Sequence, residues 1–379
     1  MKFKIPMFKI YWDENDVKSV TDVIKRGTYW ATGPEIAKFE EKISQYVGAK
    51  YAAAFNSGAS ALHAMMMAHG IKPKDEVIVP SFTFIATANA PLFVGAKPVF
   101  AEIEDKTYGL DPQDVKKRIT RKTKAIMPIH YGGCPCMIKE LNEIAEEKDL
   151  LLLEDAAESL GARIGRKTVG TFGDSAMFSF CQNKIITTGE GGIVVTDSLE
   201  TYKILKLLSS HGRPETQDYF SSTEPMDYIT VGYNFRMSSI TAALGISQLG
   251  KIEKIIEMRR NIASKLDRRI SEIEGVSPML PPERYYNVYQ MYTIQVNDRK
   301  DRDGLQRHLS KKGIMTKIYF SPIHLTHFYR NAFGYKDGDL PVTEDISRHV
   351  ISLPIYPDLG DADVDYISQS IAEFFRGEK

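Results

Sequence analysis

Short apolar segments alternate with helical segments through the first half of the chain, and this alternation constrains the fold more than any other feature. The apolar runs are YAAAF, EVIVP, KPVFAEI, KAIMPI and LLLLED, and the stretches between them include ALHAMMMAHG, FIATANAPLFV, DPQDVKKRI and MIKELNEIAEEKD. Apolar strands without strict alternation are typical of sheets that are covered on both faces. The order of segments predicts an α/β fold with a mainly parallel central sheet and helices on both faces.

The pattern changes after residue 235, where a second and smaller unit is predicted. The segment MSSITAALGISQLGKIEKIIEMRRNIASKLDRRISEIEG has a helical pattern that Gly245 and Gly250 weaken. An alternating run, YQMYTIQV, and two helical segments, DRDGLQRHLSKKG and DADVDYISQSIAEFFRG, follow it. We predict a large α/β domain over residues 1–250 and a small C-terminal α+β domain over residues 251–379, with about the first 30 residues able to pack against the small domain.

Composition and charge argue against several classes of protein. The 379 residues are 43% hydrophobic and 26% charged with a formal net charge of +0, so no electrostatic argument favours nucleic acid or an anionic membrane as a partner. No apolar run approaches the roughly 20 residues of a membrane span, and we expect no signal peptide. Only Cys134, Cys136 and Cys181 are cysteines, which argues against a disulfide framework and predicts a cytoplasmic protein. Because Cys134 and Cys136 lack a second ligand pair at zinc spacing, we predict no metal site.

The segment FSFCQNKIITTGEGGIVVT carries the most informative lysine of the chain, Lys184. Phe178, Phe180, Ile185 and Ile186 flank this lysine, and their apolar side chains can partly desolvate its amine, which favours the neutral, nucleophilic form. The glycines that follow allow backbone to approach a bulky ligand closely. The alternative is a surface lysine in a hairpin with a glycine-rich turn.

Two further segments place polar residues where a predicted strand ends. LLLLEDAAESLG ends a strand at Glu154 and Asp155, and ligands of α/β sheets bind at such strand ends. A buried carboxylate there could keep a ring nitrogen protonated, although a helix N-cap is the alternative. FNSGASAL opens a helix with small residues and Ser60, as in an anion site, and plain capping is its alternative. It matches neither the P-loop nor the dinucleotide fingerprint.

Two more segments complete the candidate site. In PSFTFIATANA, Phe84 follows a strand, where its ring could cover a flat ligand, or could simply belong to the core. In VGYNFRMSS, Asn234 and Arg236 precede a helix, where capping and surface charge are the alternative roles. An anion site, an aromatic plate, a strand-end carboxylate and a desolvated lysine are together the parts that a pyridoxal-phosphate (PLP) site needs.

The order and wording of these segments resemble the DegT/DnrJ/EryC1/StrS family of sugar aminotransferases, within the fold type I PLP enzymes. FSFCQNKIITTGEGG, EDAAESLG and VGYNFRMSSITAALG carry the resemblance, which extends from YWATGPEIAKFE to SLPIYPDLGDADVDYI. It implies an aspartate-aminotransferase-like fold with PLP as cofactor. It also implies cofactor contacts at Gly58, Ala59, Ser60, Phe84, Asp155, Glu158, Ser179, Lys184 and Asn234.

Each of these positions has an implied role. Lys184 would form the Schiff base with PLP and, with Asp155 at the pyridinium nitrogen, would be catalytic. Phe84 would stack on the ring, and Gly58, Ala59 and Ser60 would hold the 5′-phosphate with help from Ser179. Asn234 would reach the phosphate from the partner subunit, which implies a homodimer with a shared active site. Ala59 stands where the family usually has threonine and Glu158 where many relatives have glutamine, so the role of Glu158 is open.

The implied activity is transfer of an amino group, with glutamate as the expected donor, to a nucleotide-linked keto sugar, as in a perosamine synthase. Retention of Lys184 favours transamination over the dehydration that relatives with histidine there perform. Four alternatives stay open: a PLP-dependent dehydratase, a PLP enzyme of the same fold that acts on amino acids, a non-catalytic PLP- or sugar-binding regulator, and a PLP-free enzyme with a carbonyl-trapping lysine.

The residues that would contact the sugar nucleotide form the last part of the predicted site. We expect it at Thr32, Gly33, Arg236 and His324, with His211 and Arg213 at its rim. A structural role for His324 and a plain surface loop for the two rim residues are the alternatives. The sugar, its nucleotide and the carbon that is aminated stay open.

Overall fold

A computed structural model of the chain describes residues 3–214 and 225–377. The strands in these ranges are β1 (Tyr51–Phe55), β2 (Glu76–Pro80), β3 (Lys97–Ala101), β4 (Thr123–Ile126), β5 (Leu151–Asp155), β6 (Arg163–Ile164), β7 (Lys167–Thr168), β8 (Ser175–Ser179), β9 (Gly192–Thr196), β10 (Val276–Pro278), β11 (Tyr285–Tyr286), β12 (Tyr292–Val296) and β13 (Val350–Leu353). The α-helices are α1 (Glu14–Arg26), α2 (Glu35–Val47), α3 (Gly58–Ala68), α4 (Ile85–Phe93), α5 (Pro112–Arg118), α6 (Ile138–Lys148), α7 (Leu199–Ser209), α8 (Ser239–Leu249), α9 (Ile252–Ile270), α10 (Arg299–Lys311), α11 (His327–Phe333), α12 (Pro341–His349) and α13 (Asp361–Phe375). Short 3₁₀ helices lie at Tyr131–Gly133 and Ile323–Leu325.

A seven-stranded sheet forms the centre of the described chain, in the order β1-β9-β8-β5-β4-β2-β3. Neighbours from β8 to β3 are parallel, whereas β9 is antiparallel to both β1 and β8, so β1 again runs parallel to β8. Ala53 and Phe55 of β1 pack in a core with α3 and α7, while Ala52 and Ala54 pack in another with α2 and α8. The mainly parallel sheet covered on both faces confirms the predicted fold class.

A second core lies in the C-terminal part of the chain. The antiparallel sheet β10-β12-β13 shares this core with α9, α10 and α13. Ile5 belongs to the same core and exchanges backbone hydrogen bonds with Gly313 and Met315, so the start of the described chain joins this unit. Helix α1, which follows in the sequence, packs instead against α8, a helix of the large-sheet core. The predicted division at residue 250 stays a prediction.

The helical segment after residue 235 consists of two helices rather than one. Helix α8 ends at Leu249 and α9 begins at Ile252, with Gly250 and Lys251 between them. The first turns of α9, through Ile256, pack in the core of the large sheet, and its later turns pack in the C-terminal core. This helix therefore joins the two cores.

Four parallel strands direct the candidate residues to one edge of the large sheet. The carboxyl end of β1 leads to the turn at Gly58, that of β2 to Phe84, that of β5 to Asp155, and that of β8 to Ser179. Ligands of parallel sheets bind at this edge. No helix of the described residues is long and apolar enough to cross a membrane.

Candidate active site

Asp155 ends β5 and is only 6% exposed. Its Oδ2 accepts a hydrogen bond from Thr87 Oγ1 at 2.7 Å, and its Oδ1 accepts one from the Ala157 amide at 3.1 Å. Burial raises the pKa of Asp155, while the bonds from Thr87 and Ala157 and the ammonium of Lys184 oppose that rise. The residues after Asp155 form turns rather than a helix, so the N-cap alternative does not hold. A buried acid with these donors is suited to hold a cation.

Lys184 lies in the turn after β8 with its side chain only 15% exposed. Its Nζ is 3.4 Å from Oε1 of Glu158, whose side chain is 13% exposed. The other carboxylate oxygen of Glu158 accepts a hydrogen bond from the Gly132 amide at 3.0 Å. The amine is therefore enclosed beside two carboxylates, and the surface-lysine alternative does not hold.

The turn that opens α3 has the features of an anion site. Ser57 caps the helix, because its Oγ accepts from the Ser60 amide at 3.1 Å and lies 2.9 Å from Ser60 Oγ. Backbone contacts are close: a Cβ at Gly58 would lie 3.3 Å from Ser179 Oγ, and one at Gly192 would lie 2.5 Å from the Ser57 carbonyl oxygen. The first amides of a helix have no intrahelical acceptor and attract anions. The hydroxyls of Ser60 and Ser179 stand beside those amides.

Two other residues of this edge are exposed. Phe84 is at the N-cap of α4 and 63% exposed, whereas Phe82, two positions earlier, is fully buried. Phe84 is therefore not a core residue, and its ring face is available at the edge of the sheet where Asp155 lies. Ala59 is also exposed and, lacking a polar side chain, can offer an anion only its backbone amide.

The segment with Asn234 and Arg236 runs beside the end of β1. The Asn56 amide donates to the Phe235 carbonyl at 2.7 Å, and Asn56 Nδ2 donates to the Asn234 carbonyl at 3.3 Å. The Asn234 side chain is exposed, while Arg236 donates to Ser210 Oγ at 3.4 Å. The backbone of Asn234 thus lies close to the α3 turn in the folded chain, and its side chain is exposed.

A cavity of about 500 Å³ brings most of the predicted substrate residues together. Its lining in the described chain includes Thr32, Gly33, Arg213 and Arg236, but not Lys184. The Thr32 hydroxyl is buried without a hydrogen-bond partner among the described residues, and the Gly33 amide donates to Ser239 Oγ at 2.6 Å. His211, an exposed residue with φ of 60°, lies in the turn next to this cavity.

His324 lies elsewhere, in a fully buried network. Its Nδ1 is 2.7 Å from Ser81 Oγ, and its Nε2 is 3.2 Å from Glu344 Oε1. Burial lowers the pKa of His324, and the carboxylate of Glu344 opposes that effect. Because both ring nitrogens are engaged inside the chain, the geometry favours the structural alternative for His324 over a substrate contact.

Comparison with known proteins identifies the family. The profile of the DegT/DnrJ/EryC1/StrS aminotransferase family matches residues 11–372. The chain belongs to this family. It is 34% identical to the GDP-perosamine synthase of Escherichia coli O157:H7 over 99% of both chains. The chain is similar over its whole length to Helicobacter pylori PseC, an aminotransferase of pseudoaminic acid biosynthesis, with a TM-score of 0.92, 29% identity and all of that chain covered. Over 99% of its length it is also similar to a Streptococcus pneumoniae protein in its PLP form, with a TM-score of 0.93, 26% identity and 99% of that chain covered.

These matches confirm four predictions made from the sequence: the sugar aminotransferase family, the fold class, the aminotransferase activity and PLP as the cofactor. The residues of the site fit that cofactor. The α3 turn offers amides and hydroxyls to a phosphate, Phe84 offers a ring face, and Asp155 offers a buried negative charge. The close approach at Gly58, where a side chain would meet Ser179, is the backbone cradle that a phosphate group needs.

Family membership did not reveal every residue that shapes the site. Thr87, which donates to Asp155, follows Thr83 by one helical turn, and their hydroxyls are 2.7 Å apart. Gly132, which donates to Glu158, has a left-handed φ of 62°. The only sequence signal for Gly132 is the Gly-Gly pair after a predicted strand, and nothing in the sequence links Thr87 to a carboxylate 68 positions away.

Proposed function

We propose that this chain transfers an amino group from glutamate to a nucleotide-linked keto sugar, with PLP bonded to Lys184. The observation that carries the proposal is the enclosed amine of Lys184 beside the buried Asp155, at the sheet edge that also bears the anion-binding turn of α3. The similarity to a GDP-perosamine synthase and to PseC supports a sugar as the amino acceptor.

Asp155 is the proposed partner of the ring nitrogen. The bound cofactor supplies an electron sink, and it does so best while that nitrogen stays protonated. An ionised Asp155 stabilises the proton because a buried negative charge favours a neighbouring cation. The hydrogen bonds from Thr87 and Ala157 oppose the rise in the Asp155 pKa that burial causes, and they fix the direction of its oxygens.

The α3 turn and Phe84 are the proposed positioning groups for the cofactor. The amides of Gly58 and Ala59 and the hydroxyls of Ser60 and Ser179 would bind the phosphate, with the helix dipole adding to the attraction. The exposed face of Phe84 would cover one side of the ring. These two contacts would fix the position of the cofactor relative to Lys184.

Lys184 is the proposed proton carrier. As a free amine it accepts a proton from the α-carbon of the donor, and as an ammonium it returns a proton to a different carbon. In the second half of the reaction Lys184 works in the reverse order and delivers the proton to the sugar carbon that receives the amino group. Its low exposure keeps water away from the carbon while the proton is in transit.

The substrate residues support a site shared between two copies of the chain. Thr32, Gly33 and Arg236 line a cavity that does not include Lys184 in the described chain, and Asn234 presents an exposed side chain. Exposed Trp12, Trp30 and Val231 fit burial against a second copy. We therefore propose a homodimer in which one copy supplies these residues to the Lys184 of the other.

A donor and acceptor screen tests the proposed function. Purified protein with PLP is incubated with glutamate and with keto sugars linked to UDP, GDP or dTDP, and mass spectrometry follows both products. We expect an amino sugar and an equal amount of 2-oxoglutarate, with ping-pong kinetics. Lys184→Ala is the control without turnover. A sugar that loses water without gaining nitrogen would identify a dehydratase, and bound PLP without any turnover would favour a regulator.

Mixing two inactive variants tests the shared site. Lys184→Ala lacks the amine, and Asn234→Asp places a negative charge against the phosphate. In a mixed dimer both substitutions fall in one site and leave the other intact, so we expect about a quarter of wild-type activity to return after subunit exchange. No recovery in a mixture that is shown to exchange subunits would contradict a site built from both copies.

A further inference from the structure

Glu158 has a separate partner for each of its carboxylate oxygens. Oε2 accepts a hydrogen bond from the Gly132 amide at 3.0 Å, and Oε1 is 3.4 Å from Lys184 Nζ. Gly132 holds a left-handed φ of 62° within the short 3₁₀ helix, a conformation that favours glycine. The backbone thus fixes one oxygen of Glu158 and leaves the other directed at the lysine.

The groups that face Glu158 come from four parts of the chain. They are the ammonium of Lys184, the carboxylate of Asp155, and the phenols of Tyr131 and Tyr319. Burial first, and also the charge of Glu158, raises the pKa of both tyrosines, so they remain neutral. Tyr131 is further committed, because its hydroxyl donates to the Tyr319 carbonyl oxygen at 2.5 Å. Lys184 is therefore the only basic residue in this set of four, and Oε1 of Glu158 is the carboxylate oxygen 3.4 Å from its Nζ.

We propose that Glu158 is a positioning residue that receives the amino group of Lys184 whenever this lysine is not bonded to the cofactor. The inference rests on the proposed function, because only a lysine that leaves and rejoins the cofactor needs a second binding place. Asp155 and Glu158 then divide two tasks: Asp155 serves the ring nitrogen and Glu158 serves the released amine. Without Glu158 the released side chain of Lys184 would populate several rotamers, and its amine would have no fixed position for the proton transfer.

The contact with Glu158 also holds Lys184 in one place between its two proton transfers. Oε1 of Glu158 lies 3.4 Å from Nζ, and the Gly132 amide fixes the other oxygen of the carboxylate. In the first transfer one C–H bond of the donor breaks and one N–H bond forms on Lys184. In the second transfer an N–H bond of Lys184 breaks and one C–H bond forms at a different carbon.

Amine reactivity in the cofactor-free protein tests this inference without relying on turnover. The cofactor-free protein is acetylated with acetic anhydride at one fixed pH, and peptide mapping gives the rate of reaction at Lys184. Glu158→Gln keeps an oxygen for the Gly132 amide but removes the charge that pairs with the lysine. We expect the rate at Lys184 to rise about three- to fivefold, because the amine is no longer held against a carboxylate. Glu158→Asp, which keeps the charge, should recover most of the wild-type rate.

A matched control and two outcomes make the test decisive. Glu373→Gln removes a carboxylate that pairs with Lys312 far from the site and should leave the acetylation rate of Lys184 unchanged. An unchanged rate in Glu158→Gln would overturn the inference, while amination of a sugar by the wild type would leave the proposed function standing. A raised rate in a chain that aminates no sugar would reject the function and keep the Glu158 contact.

Cross-linking in the wild type keeps the inference testable if Glu158→Gln does not fold. A carbodiimide joins a carboxylate and an amine that are in contact, with loss of water, and forms an amide. We expect a cross-link between Glu158 and Lys184 in the cofactor-free protein and its loss once PLP is bound to the lysine. The pair Lys206 and Glu40, 2.9 Å apart and similarly enclosed, is the positive control. A cross-link at the control pair alone would overturn the proposed contact.

Discussion

Replacing Thr87 by valine would remove the hydroxyl that donates to Asp155 Oδ2 at 2.7 Å while nearly conserving the side-chain volume. A hydrogen bond to a charged group contributes roughly 1.5–3 kcal/mol. Because one pKa unit corresponds to about 1.36 kcal/mol, the loss is equivalent to roughly one to two pH units. Burial already raises the pKa of Asp155, and removal of the donor raises it further in the same direction. Both atoms are buried, so water does not replace the missing donor.

The direction of the effect on activity follows from the role of Asp155. The proposed reaction needs its ionised form, which is lost as pH falls through the pKa of the folded protein. A higher pKa therefore moves the acid limb of the rate profile toward neutral pH, by about one to two units in Thr87→Val. The alkaline limb should not move, because Thr87 has no contact with Lys184 among the described residues.

The assay is kcat/KM for the amino donor, measured against pH in three proteins. Thr87→Val should show the displaced acid limb, whereas Thr87→Ser keeps a hydroxyl and should follow the wild type. Circular dichroism before each series confirms that the variants are folded. The reasoning would be refuted if the acid limbs of Thr87→Val and the wild type coincided, because the hydroxyl would then not support the charge of Asp155.

Three further outcomes are expected. Gly192→Ala should weaken PLP binding by about 5- to 150-fold in an absorbance titration, because overpacking against the α3 turn costs about 1–3 kcal/mol. Gly360→Ala is the control, since a methyl group there meets open space, and it should bind PLP as the wild type does. His324→Leu should lower the free energy of unfolding by about 1–3 kcal/mol through the loss of its buried bond to Glu344, with KM for the sugar unchanged; a raised KM at full stability would instead indicate a substrate contact. Borohydride reduction and peptide mapping should place the pyridoxyl group on Lys184, and label on any other lysine would contradict the assignment.

The strands of the large sheet could be predicted because their signal is local. The five apolar runs in the first half of the sequence coincide with β1 to β5, with differences only at the ends of β3 to β5. The small sheet of β6, β7 and β11 could not be predicted, because strands of two residues have no measurable period. The helical pattern over α8 and α9 was weakened at Gly245 and Gly250, and only the second of these glycines lies at the break, because Gly245 is inside α8.

The sequence indicated candidate residues at strand ends but not the long-range contacts of those residues. A carboxylate at the end of a strand and a serine at the start of a helix are visible in a few consecutive letters, so Asp155 and Ser60 could be identified as candidates. The donors to these residues come from distant parts of the chain: Thr87 lies on α4, and Gly132 lies in a 3₁₀ helix. His324 as a substrate residue stays a prediction, and the buried partners that favour its structural alternative could not be found from the letters around Pro322.

The acids Glu154, Asp155 and Glu158 are close in sequence, but the sequence does not show which of them is available to a ligand. Glu154 and Asp155 are neighbours on β5 and point to opposite faces of the sheet. Glu154 is fully buried, and its carboxylate accepts hydrogen bonds from His130 Nε2 and from the amides of Gly170, Phe172 and Gly173. These donors occupy both oxygens, so Glu154 is not available to a ligand. Asp155 receives fewer donors and faces the lysine, and Glu158 shares its oxygens between an amide and that lysine. Charge alone therefore does not identify the functional acid in this strand; the number of donors that the fold already supplies to each carboxylate does.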